Sequence, residues 1–303
     1  MAEKINITFL GTSGAKPSAK RNHTGILISY AAENILFDCG EGIQRQFKIA
    51  KENPCKLTRI FLTHWHGDHV LGLPGLLESL EMSEYSKTLH IYGPKNTKEK
   101  IALLEKVYGK FNISIQIHEV SSGTIVKENG FSIESHPMSH GIATNAYSFI
   151  VPDKLRLDKS KLKKLKLPNS PLISKLAQGK DIIHEGKKIK AKSLTYMEKG
   201  KKISLVLDTL MNPNALKISK NSDILICEST FLANSPEGEK LAKEHNHLTS
   251  KDAATLAKKS KVKTLILTHL SERYEHDPKP LLDEAKNIFK NTLIAKDFDK
   301  IQI

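Results

Sequence analysis

Apolar residues fall along this chain in two kinds of run. Short, nearly continuous runs such as Ile60-Phe61-Leu62, Ile203-Ser204-Leu205-Val206-Leu207 and Leu265-Ile266-Leu267 read as strands buried on both faces. Longer stretches with apolar positions three and four apart read as amphipathic helices. The pattern predicts strands near residues 5–10, 25–30, 34–39, 58–63, 88–92, 113–119, 124–135, 145–151, 202–208, 223–227, 263–268 and 292–295. It predicts helices near 41–52, 70–82, 95–108, 212–220, 236–244, 249–259 and 279–290. Pairs such as 25–30 and 34–39, joined by a short turn, mix hairpins into a βα alternation. Two mixed sheets packed face to face with helices outside would account for that mixture, an α/β sandwich of four layers, αββα.

The run His64-Trp65-His66-Gly67-Asp68-His69 places four possible metal ligands in six residues. In an extended segment residues i and i+2 share a face, so His64 and His66 can reach one cation as their strand ends. Asp68 and His69 then lie on the turn into the next helix, aimed at a second cation. Imidazoles with one carboxylate suit zinc, and two metals about 3.5–4 Å apart suit a site that clamps a displacement at phosphorus or carbon. Trp65, between two ligands, should point the other way, into core. His23, His90, His118, His184 and His276 lack partner spacing and read as surface or strand residues, whereas His136 and His245 adjoin functional candidates. Gly40-Glu41-Gly42 suits a turn into the following helix.

Charge adds a second feature. The chain carries a formal +14 over 303 residues, and the segment 152–202 holds 16 Lys or Arg against 5 Asp or Glu. That net +11 leaves only +3 for all the rest, so the positive field is local and suited to a phosphate backbone. Within it, 159–176 could form two short helices around Pro168-Asn169-Ser170-Pro171. No stretch approaches the ~20 apolar residues of a membrane span, and Met1-Ala2-Glu3-Lys4 leads into a strand rather than a signal peptide. A cytoplasmic protein without membrane association is expected. Cys39, Cys55 and Cys227 lack C-x-x-C spacing, so no disulfide framework is implied.

H-x-H-x-D-H at a strand end resembles the signature of the metallo-β-lactamase fold. Four further segments narrow the match: Phe9-Leu10-Gly11-Thr12-Ser13-Gly14, Phe37-Asp38-Cys39-Gly40-Glu41-Gly42-Ile43-Gln44-Arg45-Gln46, His245-Asn246-His247-Leu248-Thr249 and Thr268-His269-Leu270-Ser271-Glu272-Arg273-Tyr274. By these the chain resembles, within that superfamily, ribonuclease Z, the endonuclease that trims the 3′ end of precursor tRNA. It departs at Pro17-Ser18-Ala19-Lys20-Arg21-Asn22, where the lysine is displaced by one position from the family's P-x-K-x-R-N. It departs again at Pro168-Asn169-Ser170-Pro171, where the family's arm turns on P-P-G-P.

The resemblance implies one metallo-β-lactamase domain over 1–303 with a lysine-rich, tRNA-binding arm inserted at 152–192. It implies two Zn2+ per chain: His64, His66 and His140 on one, Asp68, His69 and His269 on the other, and Asp208 bridging. Asp68 would act as base and His247, steered by Glu228, as the acid that protonates the departing ribose oxygen. Arg273 and Ser271 would contact phosphate, and the protein would be a homodimer in which each arm serves the partner's site. A small-molecule phosphodiester or thioester hydrolase of the same fold would share the ligands but has no use for the arm or for His247. A redox di-iron site would replace His66 by glutamate, and a purely RNA-binding protein would lose ligands that are all present here.

Overall fold

The computed structural model describes residues 3–164, 171–184 and 186–303. Its first half runs β1 (Ile5–Gly11), β2 (Gly25–Tyr30), β3 (Glu33–Phe37), α1 (Ile43–Ala50), β4 (Arg59–Phe61), α2 (Gly67–Val70), α3 (Leu73–Met82), β5 (Thr88–Gly93), α4 (Thr97–Tyr108) and β6 (Ser114–Glu119). There follow β7 (Gly123–Lys127), β8 (Ser132–Pro137) and β9 (Asn145–Val151). An excursion comprises β10 (Lys154–Leu157), α5 (Lys159–Lys164), α6 (Pro171–Ala177), β11 (Ile182–His184), β12 (Lys187–Ile189), α7 (Ala191–Leu194) and β13 (Thr195–Glu198). The chain closes with β14 (Lys201–Val206), α8 (Pro213–Ser219), β15 (Ile224–Glu228), α9 (Gly238–Glu244), α10 (Ser250–Lys259), β16 (Thr264–Thr268), α11 (Lys279–Ile288), β17 (Thr292–Ile294) and β18 (Lys300–Gln302).

Two seven-stranded mixed sheets result, ordered β18-β1-β2-β3-β4-β5-β6 and β17-β16-β15-β14-β9-β8-β7. Alternation along each strand divides its apolar residues between two layers. In the first sheet Ile5, Ile7, Phe9, Ile26, Ile28, Ile35, Phe37 and Phe61 face the second sheet, where they meet Ile133, Tyr147, Phe149, Ile203, Leu205 and Ile226. The intervening Leu10, Leu27, Leu36, Ile60 and Ile91 pack under α1 and α3. The second sheet buries Ala146, Val206, Leu225, Cys227, Leu265 and Leu267 against α8, α10 and α11. Three apolar interfaces therefore separate four layers, the αββα sandwich that the sequence predicts.

Several local expectations are corrected. The helix expected over 70–82 is broken at Leu71 and Gly72, because this turn presses against the loop after β3. The Gly72 N–H bonds to Cys39 O at 2.9 Å, and a Cβ on Gly72 would lie 2.0 Å from Gly40 O. The single strand expected over 124–135 is the hairpin β7–β8, turned at Glu128-Asn129-Gly130 with Gly130 at φ 127°. The short β18, which the apolar pattern does not mark, adds an edge beside β1. Trp65 is only half-buried: it leans on the helix-side cluster and donates from Nε1 to Thr97 Oγ1 at 2.9 Å.

The basic excursion leaves the sandwich through a two-stranded ribbon in which Leu157 pairs with Thr195. It has a small core of its own, Leu176, Ile182, Ala191 and Leu194, closed by Leu157, Leu162, Leu172 and Ile189. The helices α5 and α6 fall within 159–177. Pro168, Asn169 and Ser170 of the expected arm turn lie outside the described residues. Among the described residues no helix is long and apolar enough to cross a membrane.

Candidate metal centre

The candidate residues collect at one end of the sandwich, beyond the carboxyl ends of parallel strands from both sheets, a common place for ligands in open α/β sheets. His64 follows β4 of the first sheet. Asp208, Glu228 and His269 stand at the ends of the adjacent parallel strands β14, β15 and β16 of the second. His140 comes from the loop after β8. Asp68 and His69 occupy the single turn α2, within which one helical turn carries both side chains toward the second sheet.

Two sets of side chains converge on the Asp208 carboxylate. His64 Nε2 and His140 Nε2 lie 3.5 and 3.7 Å from its Oδ2. His66 Nδ1 is 2.9 Å from His64 Nε2 and 3.1 Å from His140 Nε2. On the other side His69 Nε2 is 3.4 Å from Asp208 Oδ2, and His269 Nε2 is 3.2 Å from Oδ1. Asp68 Oδ2 stands 3.2 and 3.3 Å from those two Nε2 atoms. The four donor atoms of each set lie within 4.8 Å of one another, and Asp208 belongs to both sets. Every ligand named from the sequence is thus brought to this place.

Hydrogen bonds behind the rings decide what the inner nitrogens can do. His69 Nδ1 donates to Asp38 Oδ2 at 2.7 Å. His64 Nδ1 donates to Thr63 Oγ1 at 3.0 Å, whose own proton goes to Asp38 Oδ2 at 2.8 Å. His140 Nδ1 donates to Asn246 O at 2.9 Å. His269 Nδ1 donates to Thr230 Oγ1 at 3.0 Å, whose proton is committed to Glu228 Oε2 at 2.7 Å. With Nδ1 protonated, each neutral ring presents a lone pair at Nε2. Rings so tethered and facing one another, around a buried Asp208 Oδ1 that accepts no hydrogen bond, fit a cation.

The electrostatics agree. Burial works against the Asp208 charge, yet His269 and His69 hold its pKa well below the usual carboxylate range. Asp68 is lowered likewise, burial again being outweighed by His69 and His269. Burial lowers His64, reinforced by His69. His69 is raised despite burial, because Asp208, Asp38 and Asp68 surround it. Without a cation the charge on these buried carboxylates is balanced by the imidazoles themselves; a bound metal would take over that balance and leave the rings neutral.

A second device adjoins the first. Fully buried Glu228 accepts from His247 Nδ1 at 2.8 Å and, through Oε1, from Thr209 N–H at 2.6 Å. Burial disfavours the His247 charge, but Glu228 more than offsets it and pushes the pKa up to about 9. His247, His140, His66, Asp68 and Asp208 line a cavity of about 480 Å³ together with Lys16, Ser271 and Arg273. The exposed Arg273 lays its guanidinium over Phe231, 5.4 Å from the ring centroid. Ser271 Oγ donates to Glu272 at 3.1 Å. Gly14 lies against the His269 ring, where a Cβ would sit 3.1 Å from it.

Sequence reasoning missed Asp38, Thr63 and Thr230, which aim the ligands. Asp38 was legible only as a carboxylate directly after a buried strand; its partners are 25 and 31 residues away. Of the histidines read as surface or strand residues, His23 is buried and bonded to Ala15 O at 3.2 Å, and His90 faces His118 across adjacent strands at 3.1 Å. Because an orienting carboxylate commonly contributes 10–100-fold to metal affinity, Asp38→Asn should weaken retention of divalent metal by about that factor in a chelator competition. Unchanged retention in the folded variant would remove Asp38 from the site.

The chain matches, over residues 5–167, a protein-family model described as Anti-Pycsar protein Apyc1, a stretch that ends before Asp208, Glu228, His247 and His269. It is 38% identical to the ribonuclease Z of Archaeoglobus fulgidus, over 99% of this chain and 98% of that protein. Among solved structures it resembles the short form of human tRNase Z, with TM-score 0.70 and 25% identity over 98% of both chains. It also resembles the metallo-β-lactamase fold protein YhfI of Bacillus subtilis, with TM-score 0.72 and 20% identity over all of both. The fold is therefore that of the metallo-β-lactamases, and with this identity over almost its whole length the chain belongs to the ribonuclease Z family.

Proposed function

We propose that the chain is a zinc-dependent endoribonuclease that removes the 3′ trailer from precursor tRNA, leaving a 3′ hydroxyl on the tRNA and a 5′ phosphate on the trailer. The observation that carries this reading is the opening of both ligand sets and of the Glu228–His247 pair onto one cavity. His64, His66 and His140 would hold one Zn2+, Asp68, His69 and His269 the other, with Asp208 shared. Bound metal would polarise the phosphoryl oxygens and lower the pKa of water to roughly 7.

The remaining work falls to the side chains. Asp68 borders the cavity with one carboxylate edge and serves as base. His247, held by Glu228 through Nδ1, has Nε2 free to protonate the departing ribose 3′ oxygen. Arg273 and Ser271 contact a phosphate beside the site. The arm at 152–192 supplies the positive field that draws the tRNA backbone. Three free thiols suit a reducing cytoplasm. Family resemblance supports a homodimer in which each arm serves the partner's site. A cavity of this size would also admit a small phosphodiester, so the arm separates the two readings.

Metal analysis of the purified chain should saturate near two Zn2+ per chain; saturation at one, unaffected by His269→Ala, would sink the dinuclear reading. Incubated with a 3′-extended tRNA transcript, the protein should cut at the junction between tRNA and trailer. His247→Ala should slow that cut by ~10²–10⁴-fold with tRNA affinity and metal content retained. An unimpaired variant would move the acid role elsewhere. Replacing 158–194 with an Asn-Gly turn between the paired Leu157 and Thr195 should weaken tRNA binding and flatten its salt dependence. Hydrolysis of a small phosphodiester should survive. Intact tRNA processing after the deletion would show that the arm is not the binding site.

A further inference from the structure

Glu284 sits on α11, outside the cavity, with its side chain turned inward and buried. A carboxylate is retained in such a place only where donors replace its lost hydration. Four do. Its Oε1 accepts from Asn234 N–H at 2.8 Å. Its Oε2 accepts from Ala233 N–H at 3.1 Å, from Lys251 N–H at 3.2 Å and from the Ser250 hydroxyl.

These donors belong to the two segments that carry the Glu228–His247 pair. Ala233 and Asn234 follow Glu228, Thr230 and Phe231. Ser250 and Lys251 open α10, just after His247, where a negative charge also suits the helix dipole. The segments meet again at Phe231, whose carbonyl accepts from Ser250 N–H at 2.9 Å beside the bridge between Phe231 and Thr249. The 2.8 Å bond from His247 to Glu228 therefore spans a joint whose two sides are tied by one carboxylate.

We infer that Glu284 is a positioning residue for His247: by joining residues 233–234 to the start of α10, it fixes the imidazole's place against Glu228 and its aim into the cavity. The inference rests on the reading of His247 as the proton donor. Misplacement of a reacting group by about 1 Å can cost on the order of 10²-fold in rate. A glutamine at 284 keeps the shape but accepts on one side only, so at least one backbone N–H would face an amide N–H instead.

The test compares wild type, Glu284→Gln, His247→Ala and the double variant on a 3′-extended tRNA, with kcat expressed per bound metal. Glu284→Gln should lower kcat on the order of tenfold, with KM and metal content unchanged. In the His247→Ala background it should lower kcat no further, because residues acting through one another do not add. An equal loss in both backgrounds, or a loss confined to KM or metal content, would overturn the inference and leave His247 in its role. Wild-type cleavage by His247→Ala would overturn both. If Glu284→Gln yields no folded protein, Ser250→Ala removes a single donor, and the same coupling pattern decides.

Discussion

The carboxylate of Asp208 is the point on which the two halves of the sandwich must agree. It is buried, and five imidazoles from four separate segments approach it within 4.0 Å: His64, His69, His140, His247 and His269. The site therefore requires both sheets to end at one level and at one spacing. Contacts directly beneath it set that spacing. Phe37 and Phe61 stack on each other in the first sheet, and Tyr147 of the second meets Phe61 edge-on and Phe37 at a tilt. The Tyr147 hydroxyl donates to Leu62 O at 2.8 Å, and Asn145 N–H donates to Thr63 O at 2.9 Å. These bonds cross from β9 to the very residues that lead into His64, so the apolar core and the metal centre share one geometric constraint.

Backbone strain gathers at the same level. Asp38, Asp208, Asn246 and His269 all have positive φ, between 45° and 58°, a region that costs a non-glycine residue of order 1–3 kcal/mol. Each turns the chain sharply off a strand or helix end, so that a side chain or carbonyl faces the site rather than the sheet. The surrounding bonds hold these conformations: Asp38 takes three hydrogen bonds from Thr63 and His69, and the Asn246 carbonyl takes His140. Rigidity of this kind keeps the candidate ligand atoms in place.

What the sequence made legible follows from how local each signal is. His64, His66, Asp68 and His69 lie within one strand-to-helix passage, so spacing alone marks them. His140, Asp208 and His269 are single residues after unrelated strands, and only the resemblance joined them to the set. The runs ending in Thr63-His64 and Thr268-His269 each bring a histidine to a strand end, one in each sheet. Asp38, Thr230 and Glu284 were invisible because their partners come from remote segments, and no local period records a hydrogen bond across the fold. The hairpin at Glu128-Asn129-Gly130 differs: Asn-Gly is a local turn signal, but it lies inside a run of strand-forming residues whose pattern masks it.

Charge is divided between two regions for a physical reason. Around the cavity stand Asp38, Asp68, Asp208 and Glu228, and Glu272 lies on its wall paired to Lys16 at 3.6 Å. Their charge is met locally, by the histidines between them, by Lys16 and by Arg273, so the field of the pocket is short in range. The chain's positive charge lies elsewhere: the segment 152–202 carries a net +11 of the +14. That field acts across roughly a Debye length, about 8 Å at physiological salt, and carries no sequence information. The excursion has a small core of its own and joins the sandwich through a two-stranded ribbon, so its packing is separate from that of the buried network that aims the ligands.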